Sequence, residues 1–168
     1  PEIRESRGEI RAAAENNLPN LVEIEDLRGD LHMHTNYSEG KNSLETMIER
    51  TDALGYEYVA VTDHSRSQKV ARGLEIEKLK AQWKEIDELS KRFKIKILKG
   101  SEVDILKDGS LDYPDEILKE LDIVVGSVHS GFSAPEKKMT ERITTALENR
   151  HLDILGHPTG RLLGKRKA

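Results

Sequence analysis

Five of the six histidines in this 168-residue chain follow short runs expected to form strands. His32 and His34 follow Leu27–Leu31, His64 follows Tyr56–Thr62, His129 follows Ile123–Val128 and His157 follows Leu152–Gly156. A further run, Ile95–Ser101, ends on Glu102 instead. Imidazole and carboxylate together are ligands for divalent transition ions, and a site without thiolate suits zinc, manganese or iron better than magnesium or calcium. His32 and His34 are two residues apart, so in extended backbone both rings face the same way and can reach one ion at about 2.0–2.1 Å. A carboxylate such as Glu102 has two oxygens and can bridge two ions, the arrangement that clamps attacking and leaving oxygens in phosphoryl transfer. Ions held there would make hydroxide available near neutral pH and neutralise phosphate oxygens, which is phosphoester hydrolysis.

Neighbouring residues qualify this set. Asp30 shares the parity of His32 and is read as a ligand or, preferably, an anchor that orients an imidazole. Asp104 lies two residues beyond Glu102 and is a ligand, a partner to a histidine, or a turn carboxylate. Asp63 points away from His64 by parity and is expected to be structural or supporting. His151 lies before its apolar run, at the opposite rim, and is expected to be structural. Arg161 and Lys165, just past His157, could steer an anionic substrate; a solvated basic tail is the plainer reading of that C-terminal run.

These residues need elements to bring them together, and the chain supplies an alternation. Strands are expected around Leu27–His32, Tyr56–Thr62, Ile95–Glu102, Ile123–Val128 and Leu152–Gly156. A helix over 43–54 is capped by Asn42 or Ser43 and ended by Gly55, with Leu44, Met47, Ile48, Thr51 and Leu54 on one side. The longest helix, 75–92, carries Ile76, Leu79, Trp83, Ile86, Leu89 and Phe93 at steps of three and four. A short helix follows Pro114, and another over 135–149 turns Met139, Ile143, Ala146 and Leu147 inward. Strands that are nearly continuous in apolar residues are buried on both faces, as in parallel sheets. Five strand–helix units therefore fit an α/β barrel or a doubly wound sheet, and in either the strand ends share one rim.

Composition sets bounds. With 36% hydrophobic and 35% charged residues, the chain reads as a water-soluble globular domain. No run approaches the ~20 apolar residues of a membrane helix, no secretory leader is evident, and a cytoplasmic location is expected. Cysteine is absent, which excludes disulfides and thiolate metal sites. A net charge of −4 excludes a wholly basic nucleic-acid-binding surface, though not a local patch. Residues 1–26, with a helical stretch near 8–16 broken by Pro19, read as a linker or N-terminal extension.

The runs Asp30-Leu31-His32-Met33-His34-Thr35, Thr62-Asp63-His64, Gly100-Ser101-Glu102-Val103-Asp104, Ser127-Val128-His129-Ser130 and Gly156-His157-Pro158 resemble the successive motifs of the PHP (polymerase and histidinol phosphatase) domain, over roughly residues 27–166. More narrowly, Arg4-Glu5 with Gly8-Glu9-Ile10, the stretch 108–114 and Gly156–Leu162 are similar to the C-terminal PHP domain of bacterial and archaeal family X DNA polymerases. The resemblance implies a distorted TIM-like (β/α)7 barrel with two or three divalent ions, manganese or zinc, or else iron. By resemblance His32 and His34 hold a first metal, Glu102 bridges to a second that His129 and His157 complete, and His64 binds a third with Glu39, where the family more usually has Asp. It also implies two further strands, the final one followed by an Asp-x-His-like pair; against that pattern this chain has about five strands, and as an isolated piece it is expected to have little exonuclease activity.

The resemblance further implies that residues 1–26 link to a preceding polymerase module and that 27–168 form a phosphoesterase domain acting on DNA 3′ ends, with manganese-dependent 3′–5′ exonuclease activity in DNA repair. Two alternatives stand beside it. One is a phosphatase of small phosphomonoesters such as histidinol phosphate. The other is a non-catalytic scaffold for the polymerase module, which should have lost ligands; here each ligand expected within the covered region is present or conservatively replaced.

Overall fold

The computed structural model describes residues 7–160. Five strands, β1 (Gly29–Met33), β2 (Tyr58–Val61), β3 (Lys96–Asp104), β4 (Ile123–Ser127) and β5 (Ile154–Leu155), form one sheet in the order β1-β2-β3-β4-β5. Every neighbouring pair is parallel. Helices α2 (Leu44–Ala53), α3 (Ile76–Leu89), α4 (Asp115–Leu118) and α5 (Glu136–Leu147) fill the connections, and α1 (Glu9–Ala14) precedes the sheet. A doubly wound sheet reverses its strand order at a switch point; this order never reverses. The strands instead follow one another as the staves of a barrel do, a curled half-barrel consistent with the α/β fold of the PHP type.

Local chemistry explains the elements. The Ser43 hydroxyl accepts from the Thr46 amide to start α2, and Gly55 at φ 77° supplies the left-handed residue that stops it. Leu79, Trp83, Ile86 and Leu89 of α3 are buried against the sheet, as their spacing predicts. In the strands Val59, Ala60, Val61, Val103 and Val125 are fully buried. Burying such a side chain is worth about 1.5–3 kcal/mol, so these runs fix where the strands lie.

The structure moves several boundaries. β3 continues two residues beyond the expected end, pairing Glu102 with Val125 and Asp104 with Ser127. Glu102 therefore projects from inside a paired strand rather than from its tip. β5 shrinks to Ile154–Leu155. Leu147, expected inward, is 54% exposed, because Arg142 and Ala146 take the buried face of α5. Leu54 lies past the final turn of α2 as its C-cap and is exposed.

Candidate metal centre

The rim at the C-terminal ends of the strands gathers five imidazoles around one buried carboxylate. Oε2 of Glu102 lies 3.1 Å from His32 Nε2, 3.3 Å from His34 Nε2 and 3.1 Å from His64 Nδ1. Oε1 lies 3.2 Å from His129 Nε2 and 2.8 Å from His157 Nε2. The two oxygens thus divide the histidines into a group of three and a group of two. Glu39 approaches from the side, its Oε1 3.0 Å from His64 Nε2 and 3.6 Å from His34 Nδ1. Three ligand groups are compact enough to surround an ion: His32, His34 and Glu102; His34, Glu39 and His64; His64, Glu102 and His129. His157 reaches the cluster at a backbone φ of 25°, a conformation costing about 1–3 kcal/mol that persists only where surroundings impose it.

This donor set fits divalent ions. A carboxylate offers about four lone-pair sites, fewer than the five imidazoles that face it. Two buried ring nitrogens, His34 Nδ1 and His64 Nδ1, have a carboxylate oxygen nearby but no contact aligned as a hydrogen bond. Lone pairs converging from neutral imidazoles call for a positive charge between them, and several ligands shared between the groups suit more than one ion. Burial lowers the pKa of His34, so it resists carrying that charge itself. His32 is raised, chiefly by its hydrogen bond to Glu102. Burial opposes ionisation of Glu102, yet its contacts with His129 and His32 outweigh it and hold the carboxyl well below the usual range. Glu39 is likewise held low: burial raises it, but hydrogen bonds to its carboxylate and the nearby His34 and His64 prevail.

Supporting residues set the ring orientations. Asp104 Oδ1 lies 2.5 Å from His129 Nδ1 and its Oδ2 accepts from Ser67 Oγ at 2.6 Å. Of the readings left open for Asp104, the structure selects the partner to a histidine. Burial lowers the pKa of His129, but its bonds to Asp104 and Glu102 carry it up to about 9. Asp30 behaves otherwise than preferred: its Oδ1 accepts the amide of His32 at 2.8 Å, closing a turn on its own backbone. Asp63 is structural, as its parity suggests. Its carboxylate accepts from Thr35 N and Oγ1, Ser38 N and Oγ, and Gln82 Nε2, and so shapes the 35–42 loop that carries Glu39. His151 lies before β5, at the other end of the strands from the cluster. Arg161 and Lys165 lie outside the described residues.

Three supporting residues escape a reading by residue type. Gln82 is fully buried on the apolar face of α3; a polar residue three after Leu79 and four before Ile86 is the signal that could have found it. Ser67 gives no sequence signal. Arg142 is buried in α5 and donates to the carbonyls of Leu106 (2.8 Å), Ser130 (2.7 Å) and Ile105 (3.1 Å from Nε). It ties the turn after Asp104 to the residue after His129, and burial lowers its pKa.

A family model described as PHP domain matches residues 30–165. The chain is 50% identical over 167 residues to the DNA polymerase/3′-5′ exonuclease PolX of Bacillus subtilis (strain 168), covering 99% of this chain and 29% of that protein. It is 33% identical over 134 residues to a probable phosphatase of Acetivibrio thermocellus, covering 77% of this chain and 53% of that protein. A probable phosphatase of Thermoanaerobacter sp. (strain X514) is 44% identical over 68 residues, 38% of this chain and 28% of its own length. The chain thus spans between about a quarter and a half of these curated relatives. Parallel strands in sequential order, a histidine–carboxylate rim, and a family match across that whole sheet agree: the chain belongs to the PHP domain family.

Proposed function

We propose that this chain is a metal-dependent phosphoesterase domain that hydrolyses DNA phosphodiesters at 3′ ends, within a family X DNA polymerase. The observation that carries the reading is the convergence of five imidazoles on the two oxygens of Glu102. In it His32, His34, Glu39, His64, Glu102, His129 and His157 are ligands of two or three ions, manganese, zinc or iron. Such ions, when bound, supply Lewis acidity and a water acidic enough to serve as nucleophile. The chain's own part is to orient. Glu102 separates the two histidine groups, Asp104 fixes the His129 tautomer so that Nε2 faces the pocket, and Asp63 holds the loop bearing Glu39.

The similarity to PolX supports DNA as substrate and a polymerase module as neighbour. Residues 1–26 are then the link to that module, and 27–168 the phosphoesterase domain. In keeping with this, Leu21, Val22 and Ile24 are each about three-quarters exposed and no residue of α1 is buried, as suits a segment whose packing partner is another module. No helix among the described residues is long and apolar enough to cross a membrane; a cytoplasmic location belongs to the proposal, as the compartment of the DNA it acts on.

The probable-phosphatase relatives favour a second reading, hydrolysis of small phosphomonoesters. The test is hydrolysis by the metal-loaded chain, alone and joined to a polymerase module, of a 5′-labelled oligonucleotide and of histidinol phosphate. Shortening of the oligonucleotide in steps from its 3′ end is the expected result. Turnover of the monoester with an intact oligonucleotide would reverse the assignment, and turnover of neither would return the domain to a scaffold role.

A further inference from the structure

We propose that the loop between His64 and Leu74 is a base-recognition shelf, on which Val70, flanked by Ala71 and Gln68, receives the planar face of the nucleobase attached to the phosphate at the histidine cluster. The inference rests on the phosphoesterase reading and adds to it the part of the substrate that the metal ligands do not touch.

The loop and the cluster share one cavity of about 650 Å³, lined by the histidines, Glu39 and Glu102 on one side and by Gln68, Val70 and Ala71 on the other. That size lies in the range of small-molecule sites. Val70 is 96% exposed, the most exposed large apolar side chain among those described. A mobile loop could fold such a side chain away, but this one is tied down. Ser65 and Leu74 bridge in parallel, the Gly73 amide donates to Gln68 O and the Leu74 amide to His64 O. A Cβ on Gly73 would meet the Ser65 carbonyl oxygen at 1.9 Å, so the crossing admits only glycine. Ser67 donates from its amide to Asp112 and from its hydroxyl to Asp104.

The charges of the loop point to the same ligand. It contains three cations, yet each is engaged elsewhere: Arg66 with Asp112, Lys69 with Glu75, and Arg72 with the carbonyl of Ser38. A loop built to grip a second phosphate would aim these groups into the cavity. What it presents instead is an aliphatic side chain and a neutral amide. Aliphatic carbon removes the weakly hydrated face of a base from water, and the Gln68 amide can both donate to and accept from a base edge. A sugar phosphate without a base has nothing to place there.

The experiment uses the zinc-loaded chain with labelled valine methyls and compares thymidine 5′-monophosphate with 2-deoxyribose 5-phosphate, which differ by the base. Both should perturb the cluster histidines. Only the nucleotide should shift the Val70 methyls upfield, through the ring current of the base. Val70→Ser, at a site too exposed to affect folding, should weaken nucleotide binding about fivefold, or ~1 kcal/mol, as expected for losing apolar contact of one or two methyl groups. It should leave the sugar phosphate unchanged. Equal Val70 shifts with both ligands, or equal nucleotide affinities for Val70→Ser and the parent, would overturn the shelf and leave the phosphoesterase reading standing. Histidine resonances that respond to neither phosphate would overturn that reading and the shelf with it.

Discussion

His129 Nδ1 and Asp104 Oδ1 lie 2.5 Å apart, at the one cluster histidine whose far nitrogen has, among the described residues, a carboxylate of its own that faces no other ring. The acid turns Nε2 toward Glu102 and is itself fixed by Ser67 and by the backbone that Arg142 clamps. An outer partner of this kind usually matters nearly as much as the ligand it holds.

Asp104→Asn should therefore weaken metal binding about 10- to 100-fold without abolishing it. Competition with a chromophoric chelator would measure this. An unchanged affinity would show that the Asp104 contact does not orient His129.

Glu102→Gln should do more, because it replaces the charge that both histidine groups face. Elemental analysis of the purified variant should find about one ion fewer per chain than the parent, as a lost bridge between two ions requires. His32→Ala, as a comparison, should disturb the group of three while sparing the side formed by His129 and His157. A parent-like metal content in Glu102→Gln would remove the bridging role.

The metal-free protein should have a distinctive pH dependence. The His129 pKa is carried up to about 9 in the folded state, against an ordinary value of about 6.5. A raised histidine stabilises the fold fully below its unfolded value and loses that contribution as pH climbs through the folded one. His32 has the same sign. His34, lowered by burial, has the opposite sign, but its contribution is nearly complete once pH passes the ordinary histidine value of about 6.5. Tm in chelator should fall between about pH 6.5 and pH 9, while metal affinity rises over the same interval as the competing proton leaves. The single tryptophan, Trp83, is buried and reports the transition. A Tm that is flat or rising there would contradict the assignment.

Asp63→Ala leaves Thr35 N, Ser38 N and the Gln82 amide without their buried acceptor. At about 1–3 kcal/mol for each unmade bond, the loss should reach about 3 kcal/mol or more in urea denaturation. Gln82→Ala removes only one donor and should cost less. Equal stability of Asp63→Ala and the parent would mean that other groups satisfy those donors.

Legibility in the sequence followed the physics of each feature. The strands and the apolar face of α3 were readable because period and burial go together, and His32, His34, His64, Glu102, His129 and His157 were readable because each stands at the end of an expected strand. Leu147 misled because periodicity cannot show that an arginine, Arg142, claims the buried face. Asp30 misled because parity shows which way a side chain points and not whether it folds back on its own amide. The 65–74 loop has no period at all: its order comes from Asp104, Asp112 and Ser38, distant residues that no local pattern connects to it. For the same reason the partner of Asp104 was visible only as one of three choices.

Sequential strand order has a kinetic consequence. The ligands begin at His32 on the first strand and end at His157 after the fifth, so nearly the whole described chain must come into register before the coordination sphere can close. Contacts that distant in sequence form late. Closure of the whole sphere therefore latches a structure already assembled, and of the three compact ligand groups only that of His34, Glu39 and His64 can form from the first two strands alone. Added zinc should slow the unfolding limb of a chevron and leave the refolding limb almost untouched. Acceleration of refolding by the ion would show that part of the sphere closes before the fifth strand docks.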